Sequence, residues 1–324
     1  MLSKPDFIEK QIVLIETNNF EKLKFKNSNI IITDEKDKIV FQHPCTKIFM
    51  IFILGEFSIT SILIKNLKKY AIPIVFLNYN LRPYFSIVPD NKGNFLLREK
   101  QYKNNRNLEI AKHIIYNKIN NQLSLMNSLR YKSIYDKENI SNLKRLLEQI
   151  KYIKDDQELL GVEGTASKLF FKTYFKNLEF NGRRPRCRDN IFNLLLDIGY
   201  YYLFNFIEAN LELYGFDIYC GFYHKFFFQR KSLVCDLVEP FRGIIDRKIR
   251  KGFDLKQINN NDFYFKNGQF YIKKEFNKKY SKLFLKEILI NKESIFLYIQ
   301  SYYRAFMKDK DIEDFPNFDI MVNR

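Results

Sequence analysis

Tryptophan is absent from this chain, histidine occurs three times, and the four cysteines, Cys45, Cys187, Cys220 and Cys235, never pair as C-x-x-C. That excludes a zinc ribbon and a dithiol redox motif. No cysteine spacing suggests a disulfide framework, so a reducing compartment is expected. Long apolar runs are missing as well. The most apolar stretch, 48–64, is broken by Glu56, Ser58, Thr60 and Ser61, whereas a membrane-crossing helix needs about 20 nearly uninterrupted apolar residues. The first ten residues, MLSKPDFIEK, carry no apolar core behind a basic end, so no secretory leader is expected. The chain is therefore expected to be cytoplasmic, with no membrane partner.

Phenylalanine (33) and tyrosine (21) are abundant, and apolar residues make up 46% of the 324, enough for a sizeable core. Lys plus Arg (54) against Asp plus Glu (37) leaves a formal charge of +17. So large a surplus favours a polyanionic partner: DNA, RNA or an anionic membrane surface.

Two regions differ in period. Up to residue 90, short β-branched and aromatic runs recur between polar breaks, at Gln11–Ile15, Lys22–Phe25, Ile30–Thr33, Ile39–Phe41, Lys47–Leu54 and Ile74–Leu77. These read as strands, with one helix from Ser58 to Tyr70, ending before Pro73. His43 has no ligand spacing around it, so this region is read as packing or dimerisation surface. Asn91-Lys92-Gly93-Asn94 is a turn signal and the expected domain boundary. Beyond it, Leu108, Ala111, Ile115 and Ile119, and then Leu143, Leu147, Ile150 and Ile153, recur at helical spacing. Further helices are expected at Ala166–Lys176, Asn190–Leu213, Leu233–Arg250 and Tyr280–Met307, with a hairpin or loop insertion at Gln257–Lys274. The expected fold class is α+β: a small N-terminal β-rich domain (1–90), then a larger all-α domain (91–324).

Three motifs carry residues capable of chemistry. In Gly161-Val162-Glu163-Gly164, two glycines bracket a carboxylate ahead of an apolar helix. Glu163 is either aimed into a cleft from a helix start or simply offsets a helix dipole. His224 follows a Gly-aromatic turn, with Lys225, Arg230 and Lys231 nearby. Neighbouring cations favour the neutral, metal-binding ring; the alternative is a hydrogen-bonded structural histidine. Asp236 and Glu239 stand three apart, on one face if helical. They form either a capping box or an in-helix pair kinked by Pro240. Oxygen ligands with a single imidazole suit Mg²⁺ or Mn²⁺ better than a structural zinc.

The ordered series GVEGTASKLFF, RRPRCRDNIFNLLLDIGYYYL, GFDIYCGFYH and KSLVCDLVEPFRGIIDR, preceded by ILGEFSITSILIKNL, LREKQY and LEIAKHIIYNKINNQ, resembles the CRISPR-associated adaptation endonuclease family, the integrase subunit that inserts new spacers. The resemblance spans nearly the whole stretch from Lys10 to Arg250. It implies that the helical domain is the catalytic one, and that Glu163, His224 and Glu239 ligate a metal with Asp236 in support. It implies a homodimer, a small ferredoxin-like companion subunit, and double-stranded DNA both as captured spacer and as repeat array. The implied reaction joins 3′-hydroxyl ends by phosphoryl transfer; with water as nucleophile the same site would nick DNA. Arg183, Arg184, Arg186 and Arg188 are candidate backbone clamps, and Lys168, Lys225, Arg230, Lys231, Arg242 and Arg247 are weaker candidates. Two alternatives are a non-catalytic basic scaffold, which leaves the acidic and histidine motifs unexplained, and a metal-dependent nuclease or recombinase without integration.

Overall fold

The computed structural model describes residues 3–322 apart from 17–20, 56–58, 89–92, 106, 177, 179, 181 and 225. The first half of the expected boundary turn (Asn91-Lys92), Glu56, Ser58 and Lys225 thus lie outside the described residues.

A short helix, α1 (Lys4–Ile8), opens the chain, capped by Ser3. Strand β1 (Gln11–Glu16) follows, then an antiparallel sheet of β2 (Lys22–Lys26), β3 (Asn29–Thr33) and β4 (Ile39–Pro44). Strand β5 (Ile48–Leu54) is apolar and buried throughout, as a strand covered on both faces requires. It pairs in parallel with β1. Helix α2 (Ser61–Lys69), capped by Thr60, crosses over to β6 (Ile74–Leu77), also parallel to β5. Strand β7 (Pro83–Ile87) closes the order β1-β5-β6-β7 at an antiparallel edge. Successive side chains of β5 point to opposite faces. Ile51 and Ile53 join a small core with Leu23, Ile30, Leu63 and Leu67. Met50, Phe52 and Leu54 join a second, larger core that continues into the helices.

The helical region comprises α3 (Phe95–Lys103), α4 (Leu108–Asn127), α5 (Ile134–Gln149), α6 (Asp156–Tyr174), α7 (Ile191–Tyr214), α8 (Ser232–Val238), α9 (Arg242–Asp254) and, after a hairpin, α10 (Asn277–Met307). Helix α7 buries side chains all round, from Phe192 to Tyr214, which marks a central helix. A Cβ at Gly199 would lie 2.4 Å from Ile245 Cγ2, so glycine is what lets α7 and α9 pack this closely. The hairpin pairs β8 (Phe263–Lys266) with β9 (Gln269–Ile272). Asn267 and Gly268 turn it with φ 51° and 74°, the pair of positive angles that a tight hairpin demands. The helical region is therefore not purely α, and the hairpin sits inside the stretch expected for it. The C-terminal tail folds back over α4, where Phe318 N and Ile320 N donate to the side-chain oxygens of Asn117 and Asn121.

Every expected strand is present with small differences at its ends. Strand β7 escapes a pattern search because Pro83 opens it and none of its side chains is fully buried. Helix α1 has five residues, too few for a period, and α3 has a mixed face without a clear apolar stripe.

Candidate active site

Asp236 organises one side of the site. It lies inside α8 and is fully buried. Its Oδ2 accepts from Phe222 N (2.6 Å) and Tyr223 N (3.0 Å), and its Oδ1 from His224 N (2.9 Å). The turn at 221–224 thus wraps its amides around one carboxylate. A Cβ at Gly221 would fall 2.7 Å from Asp236 Oδ2, so no other residue fits there without displacement. The capping-box reading is corrected: α8 starts at Ser232, and Asp236 accepts from another segment rather than from its own first turn. Asp236 Oδ1 also meets His224 Nδ1 at 2.7 Å. A carboxylate there makes Nδ1 the protonated nitrogen and leaves the lone pair on Nε2, the tautomer that prepares an imidazole to ligate a metal.

Pro240 breaks the helix. Helix α8 ends at Val238, Glu239–Phe241 form a single 3₁₀ turn, and α9 begins at Arg242. The Pro240 carbonyl is satisfied from α4 by Asn121 Nδ2 at 3.0 Å. The kink turns Glu239 toward α4, where it meets Lys118 Nζ at 2.7 Å, while Arg242 Nε lies 2.9 Å away. Burial alone would raise the Glu239 pKa. Arg242, Lys118 and His224 overcome it and hold the carboxyl at about 2, so Glu239 is an anion at neutral pH.

Glu163 arrives from α6. That helix begins at Asp156, capped by Asp155, so Glu163 and its two glycines are mid-helix. The expected helix start at Ala166, and with it the dipole role, is corrected: the Asp155 cap nucleates the helix upstream, and α6 absorbs glycines that each cost about 1 kcal/mol against alanine. A Cβ at Gly161 or Gly164 would meet nothing within 4 Å, so the flanks of Glu163 are open. Glu163 pairs with Lys118 and accepts from Ser167 Oγ at 3.0 Å.

Lys118 was not among the residues singled out in the sequence. Its ammonium is buried and bridges Glu163 and Glu239. Burial would lower its pKa, but the two carboxylates outweigh burial and raise it. A signal was present, because Lys118 is a cation on the apolar stripe Ala111, Ile115, Ile119 of α4. Tyr223 was missed too. Burial, with the nearby charges of Glu163, Glu239 and Asp236, pushes its hydroxyl far above the ordinary range.

Among the described residues, no three His, Cys, Asp or Glu side chains converge closely enough to ligate an ion as they stand. The donor set nevertheless fits a hard divalent cation. Two carboxylates from different elements already share one positive charge at Lys118, and hard oxygen donors of that kind suit such an ion.

The arginine loop is docked on α7. Arg183 pairs with Asp197 at 2.6 Å, and Arg184 N and Arg186 N donate to Asn193 and Asp197. Arg184 and Arg186 are exposed. Arg188, unlike those two, is buried at 1% exposure, with its carbonyl accepting from Phe270 N at 2.8 Å. Arg247 is also buried, donating to Ile320 O and pairing with Glu287. Arg242 sits between Glu239 and the Tyr200 ring (4.5 Å), so it belongs to the site's interior. Lys231 pairs with buried Glu208, whereas Lys168 and Arg230 are exposed.

A β-rich region thus joins a helical one in which Glu163 and Glu239 share Lys118 and His224 is hydrogen-bonded to Asp236 just ahead of the Pro240 break. The family model for CRISPR associated protein Cas1 matches residues 14–286. The chain belongs to the Cas1 family. It is 29% identical over 283 residues to a CRISPR-associated endonuclease Cas1 of Thermodesulfovibrio yellowstonii, covering 83% of this chain and 89% of that protein. It is 33% identical over 224 residues to one of Saccharolobus solfataricus, covering 66% and 63%. A solved CAS1 protein from Thermotoga maritima superposes with TM-score 0.77 at 20% identity, covering 91% of this chain and 97% of that one. A casposase bound to integration product gives the same score and identity, covering 96% and 95%. Among the described residues no helix is long and apolar enough to cross a membrane.

Proposed function

We propose that this Cas1-family enzyme, an endonuclease and integrase of CRISPR adaptation, holds one divalent ion, Mg²⁺ or Mn²⁺, between Glu163, Glu239 and His224 Nε2. One observation carries the assignment: Glu163 and Glu239 converge on a single positive charge while Asp236 fixes Nδ1 of His224 as a donor. The bound ion would supply Lewis-acid polarisation of a phosphodiester and help ionise the attacking hydroxyl. The chain's own residues do the rest. Asp236 keeps the imidazole in one tautomer and orientation. Arg242 and Lys118 keep Glu239 ionised in a buried setting. Lys118, released from one or both carboxylates, is placed to meet the anionic phosphate. The nucleophile is the 3′-hydroxyl of a captured duplex, attacking at the repeat edge; with water in its place the strand is nicked.

Double-stranded DNA is held by the exposed cations Arg184, Arg186, Lys168 and Arg230, through its backbone and without base specificity. The homodimer, with the N-terminal sheets (1–90) as its interface, and the ferredoxin-like companion subunit complete the proposed assembly.

The test is half-site joining of a labelled duplex into a supercoiled repeat-bearing plasmid, with the companion subunit and Mn²⁺ or Mg²⁺. Joining that survives His224→Ala or Glu239→Ala overturns the site. DNA binding that persists in both variants while joining is lost rejects a purely binding role.

A further inference from the structure

Two arginines carry buried guanidinium nitrogens that nothing accepts from. Arg188 is 1% exposed, and its Nε and Nη2 have no hydrogen-bond partner among the described residues. Nε of Arg82, in the turn between β6 and β7, is buried and unpartnered among them too. The two side chains are near enough to repel. Burial, and next the charge of Arg82, hold the Arg188 pKa below the usual arginine range. Asp197 is the one carboxylate that offsets them, and it is already engaged by Arg183 at 2.6 Å and by the amide of Arg186.

Backbone contacts hold both arginines in place. Arg188 takes φ 51°, the left-handed region that disfavours a residue with a side chain. Its carbonyl is fixed by Phe270 N of β9 at 2.8 Å. Arg82 closes a tight turn: its amide donates to Asn78 Oδ1 and its carbonyl accepts from Asn78 N, both at 3.0 Å. That turn is fastened to the helical region. Asn277 Nδ2 donates to Tyr79 O at 2.7 Å, and Lys274 Nζ lies 4.5 Å from the Tyr79 ring centroid. Both residues follow closely on β9. The N-terminal turn and the arginine loop are thus tied to one hairpin and its continuation.

A buried charge without a counter-ion is expensive, and a second of the same sign adds to the cost. A compact anion rich in acceptors would satisfy both groups. Phosphate is such an anion, because the planar fork of arginine meets its oxygens in pairs. A diester inside a continuous strand is a poor match, since it must leave the site in two directions and Arg188 is almost fully enclosed. A free phosphate ion or a phosphomonoester at a strand end meets no such obstacle.

We propose that Arg82 and Arg188 form an anion site for a single phosphate group, at the junction of the N-terminal sheet and the arginine loop. It shares no residue with Glu163, Glu239 and His224. Bound there, phosphate fastens the loop that carries exposed Arg184 and Arg186 to the N-terminal region.

The test uses the full chain in EDTA at fixed ionic strength, with inorganic phosphate as the probe. Phosphate is expected to raise the melting temperature saturably and to broaden its own phosphorus NMR resonance, with chloride doing neither. Arg188→Met and Arg82→Met should each weaken binding about tenfold or more, because each removes charge-assisted hydrogen bonds. In phosphate-free buffer Arg188→Met should melt no lower than the wild type, since an unpaired buried charge has gone. Arg145→Ala, at an exposed arginine, should keep full binding. A second arm compares duplexes of equal length with 5′-phosphate and 5′-hydroxyl ends. A phosphorylated duplex that binds about tenfold tighter, competes with inorganic phosphate and loses its advantage in Arg82→Met assigns the site to a strand end. Equal binding of the two duplexes, with the inorganic phosphate effect intact, assigns it to the free ion. No saturable phosphate effect, an equal effect of chloride, or phosphate binding unchanged in either methionine variant overturns the site. A change of oligomeric mass in those variants without any phosphate effect overturns it in favour of a carboxylate from a second copy of the chain.

Discussion

The small core beneath the N-terminal sheets is almost wholly apolar, whereas the helical core around Glu239 buries charged and amide side chains among its apolar ones. Among the described residues before Gly93, Thr33 is the one buried polar side chain, and the small core is built of Val, Ile, Leu and Phe with Cys45. From Gln101 onward, buried Asn, Asp, Glu, Lys and Arg recur, and many are bonded to each other or to backbone. Burying an ion without a partner is expensive, so such groups persist only where a network satisfies them. Lys118 between Glu163 and Glu239, and Asp236 inside the turn at 221–224, are networks of that kind. One region is built for cohesion. The other gives up cohesion to hold charges in a fixed geometry.

That contrast can be broken most sharply at Glu239. Glu239→Ala leaves the buried cations Lys118 and Arg242 without their shared anion, and is expected to cost about 3–5 kcal/mol of stability and to lower joining by about 10³-fold or more. Denaturant melts and the joining assay read the two separately. Ile53→Ala in the sheet core should cost about 2–5 kcal/mol, yet leave joining per folded molecule unchanged below the melting transition. A loss of intrinsic rate in that variant would show that the two regions are not separable. Asp236→Asn keeps shape but removes the acceptor that orients His224, and should lower metal affinity about 10–100-fold, read by Mn²⁺ titration. Lys118→Met leaves two carboxylates facing one another. Its melting temperature should fall in EDTA and rise further on adding Mn²⁺ than that of the wild type, because the ion replaces a lost positive charge. An equal Mn²⁺ shift in both proteins would mean that Lys118 and the ion do not share a position. The smallest effect is expected at the exposed loop: Arg184→Ala should reduce the salt dependence of DNA binding by about one unit of log–log slope, without altering joining at saturating DNA.

Most strand positions were legible because β-branched runs between turn residues leave a local signature, and β5 is the clearest case. Helix α7 was legible for a similar reason, with Asn190 as its cap. The Pro240 kink was read correctly from one residue, since a proline inside a helix removes a donor wherever it sits. Helix α6 was misread because its cap, Asp155, stands eight residues ahead of Glu163, and two glycines look like a loop when tertiary packing is not visible. Arg188 and Arg247 look like solvated clamps in sequence, and only burial separates them from Arg184 and Arg186.

By itself the sequence determined the polyanion-seeking charge, the two periods of the chain, and the residue types able to bind a metal. Those properties are local or additive, and need no knowledge of what lies opposite. The tertiary structure alone decided that Lys118, eleven positions into α4, stands between carboxylates from α6 and from the 3₁₀ turn after α8. It alone decided that Asp236 faces the backbone of the turn at 221–224 and not its own helix. Contacts between residues 45 and 119 positions apart depend on how helices cross, and the crossing is set by the close approach of α7 and α9 at Gly199 and by the break at Pro240.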